Sequence, residues 1–177
     1  MKKLIPFVLI SVFYVACTGN KGNEGATSQA PTSSASSIAL PYKADYDAKF
    51  SWGSDSNTLV VLNSYKAWEN GDMQALRNTL GDSTRFLFSN GTTFYGTSDS
   101  MVKFAAKVRD SLSKVEIRMD VWLSTHADTR NADWVSVWYT ETDTYKTGKV
   151  DSAYFQDDNA LVNGKIVYVD SKIRKLK

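Results

Sequence analysis

The 177-residue chain holds one cysteine, Cys17, and one histidine, His126. A single cysteine closes no disulfide within the chain and builds no cysteine zinc site. A single histidine leaves a His-rich metal site equally poor. Acid–base chemistry would therefore rest on carboxylates and phenols. The candidates are Asp120 and the adjacent pair Asp157 and Asp158, all in strand-like segments. Neighbouring residues of a strand point to opposite faces, so one member of the pair can enter an interior. A carboxyl enclosed away from water has a raised pKa and can act as a base. Tyr65 is the matching hydroxyl donor. His126 ends a strand-like run before the Ala127–Asn131 loop and reads as a turn histidine. The chain has no phosphate-binding glycine loop, no dinucleotide fingerprint, no nucleophile elbow and no His-Glu-x-x-His run. Neither a metal nor a cofactor is expected.

Aromatic residues are the other group able to shape a site. Tyr65 and Trp68 fall on a helical segment, and Trp122, Trp134, Trp138, Tyr139, Tyr145, Tyr154 and Phe155 on strand-like ones. Within 134–145, Trp134, Ser136, Trp138 and Thr140 share one face and Val135, Val137 and Tyr139 the other. The first set facing inward makes a ligand pocket with hydroxyl neighbours. The second set facing inward makes a packed core. The pattern alone leaves both open. The pocket version is lined by Tyr65, Trp68, Asp120, Trp122, Trp138 and Asp157, and suits a small apolar or sugar-like ligand.

The elements that must position these residues begin near 55. Leu59, Val61, Leu62, Tyr65 and Trp68 recur at helical spacing over 58–70, with Asn70-Gly71 as a stop. Asp72 caps a short second helix that Gly81-Asp82 ends. Thr84–Ser89 and Thr92–Tyr95 form a hairpin about Asn90-Gly91. Thr97 or Ser98 caps a third helix carrying Met101, Phe104, Ala105, Val108 and Leu112. Val115, Ile117, Met119, Val121 and Leu123 alternate strictly, as in a half-buried strand. Segments 134–145, 150–162 and 165–176 follow, joined by turns at Thr147-Gly148 and Asn163-Gly164. Helices gathered before long antiparallel strands predict an α+β fold with a concave face.

The composition is 42% hydrophobic and 23% charged, an ordinary globular balance. The formal charge is +2, from 21 basic and 19 acidic side chains. Without Lys2 and Lys3 the balance is zero, which argues against nucleic acid as a partner. Lys2 and Lys3 precede a 13-residue apolar run, Leu4–Ala16, too short to span a bilayer and apt for a signal peptide. Small Ala16 then precedes Cys17. This resembles the lipobox of bacterial lipoproteins, with Tyr14 and Val15 where leucine and a small residue are usual. The resemblance implies cleavage before Cys17 and lipidation of that residue. Thr18–Ser37 lacks large apolar side chains and reads as a flexible tether, with a reach of roughly 25 Å. The expected organisation is a signal peptide over 1–16, a tether over 17–37, a transition arm over 38–55 and a folded domain over 56–177. The expected place is the bacterial cell envelope, at the outer membrane.

Trp68-Glu69-Asn70-Gly71-Asp72-Met73-Gln74-Ala75-Leu76 with Leu80-Gly81-Asp82 resembles the helix–Gly-Asp–helix opening of the nuclear-transport-factor-2-like (NTF2-like, SnoaL-like) superfamily. Leu161-Val162-Asn163-Gly164-Lys165-Ile166 is similar to its last hairpin. The resemblance covers about 56–176. It implies an NTF2-like cone, three N-terminal helices packed on a strongly curved antiparallel sheet. It also implies pairing of copies through the outer sheet face, and a hollow that serves enzymes in some members and binding modules in others. In isomerase-like members the base is a carboxylate on the first strand after the second helix. Thr84-Arg85-Phe86-Leu87-Phe88 has none. The reading favoured is a non-catalytic module binding a small ligand or a partner. The alternative is a cofactor-independent dehydratase or isomerase using Asp157 or Asp120 with Tyr65. A buried carboxylate within reach of a tyrosine would favour the alternative, and an exposed Trp138 beside a buried Val137 would reject the Trp-lined pocket.

Overall fold

The structure, a computed structural model, describes residues 39–47 and 49–176. The leader 1–16, Cys17 and the tether to residue 37 lie outside them. Helix α1 (Asp55–Asn70) starts where the Ser54 side chain accepts the Asn57 N–H, and so satisfies one of the orphan donors of its first turn. It ends at Gly71, whose φ of 72° is the left-handed conformation open to glycine. Asp72 then caps α2 (Met73–Thr79) by accepting from the Ala75 N–H at 2.9 Å.

The second helix runs directly into β2 (Leu80–Leu87), four residues earlier than the sequence predicts. Gly81 is not a stop signal. It stands where a Cβ would lie 2.9 Å from Val167 Cγ1, so the residue is small because two strands approach closely. After β3 (Thr93–Thr97), Thr97 caps α3 (Ser98–Asp110). Four long strands follow: β4 (Leu112–Ala127), β5 (Ala132–Tyr145), β6 (Val150–Val162) and β7 (Lys165–Lys175). A short β1 (Phe50–Trp52) from the transition segment pairs with the end of β4.

These strands make one seven-stranded sheet in the order β1-β4-β5-β6-β7-β2-β3. Every pairing is antiparallel except β2 with β7, so the sheet is mixed. Val61, Leu80, Met101, Val135, Val137, Tyr139, Leu161, Ile166 and Val169 form the core between the helices and one sheet face.

The register corrects the strict alternation read in β4. Met119 pairs with Tyr139 and Val121 with Trp138, which leaves Asp120 as the extra residue of a bulge. A bulge reverses the in–out parity beyond it. Val115, Ile117 and Met119 therefore share the helix-covered face, while Val121 and Leu123 share the opposite face and are 51% and 39% exposed.

Candidate functional site

Strand β5 settles which of its two sets turns inward. Val135 and Val137 are wholly buried and Tyr139 nearly so, whereas Trp134, Ser136, Trp138 and Thr140 lie on the far face. There Ser136 Oγ donates to Asp158, Lys172 bridges Asp158 and Asp170, and Trp134 Nε1 donates to the Tyr46 hydroxyl at 3.0 Å. The charged partners across that face hold it toward water. The Trp-lined pocket is thereby corrected. Trp138 is outside because its alternation partners are the core valines. Asp120 is outside because it is the bulge residue, exposed and 3.5 Å from Arg118. Trp122 pairs with Val137, but it is half exposed near the N-terminal end of α1, where Ser124 Oγ donates to Ser54 O.

The helix-covered face is nonetheless not filled. A cavity of about 350 Å³ lies between α1, α3 and strands β2, β5, β6 and β7. Phe86 of β2 and Phe88 just beyond it, Phe104 and Val108 of α3, Phe155 of β6 and Ile173 of β7 supply apolar wall. Phe86 stands on the strand that the isomerase-like resemblance would give a base. Tyr65 and Trp68 of α1 and Asp157 of β6 line the cavity together, as do Glu141, Asn159 and Ser171.

Asp157 is 4% exposed. Its Oδ2 accepts from the Tyr65 hydroxyl at 2.7 Å and from the Tyr139 hydroxyl at 3.0 Å, while Oδ1 has no hydrogen-bond partner. The two phenol rings meet edge-on with centroids 5.0 Å apart, and Tyr139 stacks on Phe155. Asn159 donates to Val135 O at 3.0 Å and reaches the Tyr65 oxygen at 3.5 Å. Burial raises the Asp157 pKa, and the Ser171, Tyr65 and Tyr139 hydroxyls draw it part of the way back. Burial, with the Asp157 charge beside them, lifts both phenols well above their usual range, so they remain neutral donors.

Sequence reasoning missed Glu141. It continues the alternation Val135, Val137, Tyr139 onto the cavity wall. Burial first, then the charge of Asp143, pushes its carboxyl up to about 8, against a favourable contact with the Trp68 side chain. The signal was a carboxylate interrupting an otherwise apolar inward set. A group with that pKa is mostly protonated at neutral pH. The cavity therefore pairs a carboxyl able to donate a proton, Glu141, with one held by two phenols, Asp157. His126 is apart from all this: its Nδ1 lies 2.8 Å from Asp133 near the β1 edge. Among the described residues no three His, Cys, Asp or Glu side chains converge as metal ligands do.

No protein-family model matches the chain. No curated protein matches it significantly. Solved structures do match. An LEH-like epoxide hydrolase from M. tuberculosis superposes with a TM-score of 0.58 at 10% identity, over 68% of this chain and 84% of that one. An NTF2-like protein of unknown function from Burkholderia pseudomallei gives 0.56 at 17% identity, over 67% and 91%. A candidate polyketide cyclase from Xanthomonas campestris gives 0.54 at 17%, over 67% and 90%. At such identities the likeness shows the fold: an NTF2-like α+β arrangement of three helices and a seven-stranded mixed sheet. The activities differ from neighbour to neighbour and belong to those proteins.

Proposed function

We propose that this chain is a lipoprotein of the bacterial cell envelope, held at the outer membrane through Cys17, whose NTF2-like domain takes up a small and mostly apolar molecule. The observation that carries the ligand reading is Asp157, a residue on the wall of an otherwise largely apolar cavity whose Oδ1 has no hydrogen-bond partner. An orphaned buried acceptor costs about 1–3 kcal/mol. A ligand group that donates to it removes that cost, while the aromatic walls bury the ligand's body. The volume of about 350 Å³ falls within the range of small-molecule sites. The sugar-like option loses its basis, because the Trp and hydroxyl face that suggested it points away from the cavity.

The ligand reading is tested by titrating the full chain with an apolar naphthalene dye. Saturable binding is expected, weakened about tenfold or more in Ala105→Trp, whose indole would occupy the cavity. Absence of saturable binding rejects the reading. The anchor is tested by Cys17→Ser, which is expected to release the protein from the membrane fraction or leave its leader uncleaved. Equal retention and an unchanged mass would reject the anchor.

A second reading rests on the 2.7 Å contact between Tyr65 and a buried carboxylate in the same cavity as Glu141. Such a set can move a proton on a bound carbonyl compound without a cofactor. Deuterium incorporation next to the carbonyl of a bound aryl ketone would support it, provided Asp157→Asn abolishes the exchange. Exchange at the buffer rate would reject it.

A further inference from the structure

Building on the reading of the cone as a ligand site, we propose that its occupant is an organic cation, an apolar molecule with one protonated amine whose ammonium group sits against Asp157. The argument begins with what the site has left to offer. Most of its donors are already committed, and the Ser171 hydroxyl lies beside Asp157 itself. The Tyr65 and Tyr139 hydroxyls both go to Asp157 Oδ2, and the Asn159 amide goes to Val135 O. What stays unpaired is an acceptor, Oδ1, on a cavity-lining residue that is 4% exposed. A ligand that brings an N–H or O–H to Asp157 makes good this shortfall.

Charge narrows the choice between the two. The cavity wall contains two carboxyl groups, Asp157 and the mostly protonated Glu141, and among the described residues lining it there is no Lys, Arg or His. The cations nearest the site are engaged elsewhere. Arg109 donates to the backbone carbonyls of Trp68, Glu69 and Leu112, each at 3.2 Å. Lys172 is held by Asp158 and Asp170 on the opposite face of the sheet. Buried carboxylates are ordinarily paired with a positive group, and here the protein supplies none inside the cavity. An ammonium group supplies both the missing donor and the missing charge. Phe86, Phe88, Phe104, Phe155 and Trp68 add aromatic rings whose faces attract a cation and whose area buries an apolar body. The Asp157 charge disfavours an anionic ligand.

Three probes of one shape and different head group test this: phenylbutylamine, phenylbutanol and phenylbutyrate, titrated calorimetrically into the full chain at neutral pH. The amine is expected to bind about tenfold or more tightly than the alcohol, and the carboxylate to show no saturable heat. In Asp157→Asn the advantage of the amine over the alcohol should vanish while the alcohol still binds. Tyr65→Phe keeps the carboxylate and should keep the preference, so the proposal remains testable if Asp157→Asn does not fold. An alcohol that binds as well as the amine overturns the cation while leaving the ligand cavity standing. An amine preference that survives Asp157→Asn overturns its placement. Failure of all three probes to bind overturns the cavity reading and the cation with it.

Discussion

Glu141 and Asp157 show how two carboxyls on adjacent strands acquire different characters. Asp157 has two phenols to stabilise its charge, whereas Glu141 faces the charges of Asp143 and Asp157 with only the Trp68 side chain in its favour. In an unfolded chain Glu141 ionises near 4.5; in the fold it does so at about 8. Between those values the unfolded chain has lost the proton and the native one keeps it. Stability therefore falls as pH rises across this window, by up to about 1.4 kcal/mol per unit from this group, and levels off above it. The raised pKa values of Asp157 and Asp143 act in the same direction. Glu141→Gln should remove the larger part of the slope in urea unfolding between pH 5 and pH 8. A slope unchanged in the variant would mean that Glu141 is ionised in the native protein.

At the scale of elements, two local features decide what the strands present. The Asp120 bulge turns Val121 and Leu123 outward halfway along β4 and takes Asp120 out of any interior. Gly81 lets β2 lie close to β7 in the one parallel pairing. If that close approach is its role, Gly81→Ala should destabilise the protein by about 1–3 kcal/mol through overpacking against Val167. Val167→Ala in the same chain should restore most of the loss, as a double-mutant cycle would read. Additive losses would show that the two side chains do not meet, and that Gly81 serves the backbone alone.

At the scale of the whole molecule, the segment before α1 belongs to the packed body. Asp47 accepts from the backbone N–H groups of Lys49 and Thr129, at 2.9 and 2.8 Å. Arg130 lies over the Tyr46 ring, and β1 covers the edge of β4. An uncovered edge is a template for association. A chain beginning at residue 41 should melt cooperatively at the temperature of the longer protein. One beginning at residue 56 should lose several degrees in Tm and associate through the bared β4 edge. Equal melting of the two would show that the arm contributes nothing to stability.

Order and type of the elements were legible in the sequence because they rest on local physics. The caps at Asp72 and Thr97, the Asn163-Gly164 turn and the helical spacing about Tyr65 act within a few residues. They sufficed for an α+β fold that resembled the NTF2-like cone. The leader and Cys17 are read from sequence alone. The inward face of β5 was not legible, since Val135–Val137–Tyr139 and Trp134–Ser136–Trp138 are both plausible interiors until the charged partners Asp158, Asp170 and Lys172 arrive from β6 and β7. The parity of β4 was hidden for a similar reason, because a bulge exists only relative to a partner strand. Glu141 was overlooked because a carboxylate reads as solvent-facing until tertiary packing encloses it. Tyr65 and Asp157, 92 residues apart, meet only when α1 is laid across β6. Local interactions specify the elements, but a site is a long-range contact, and only the packing of helix on sheet brings its members together.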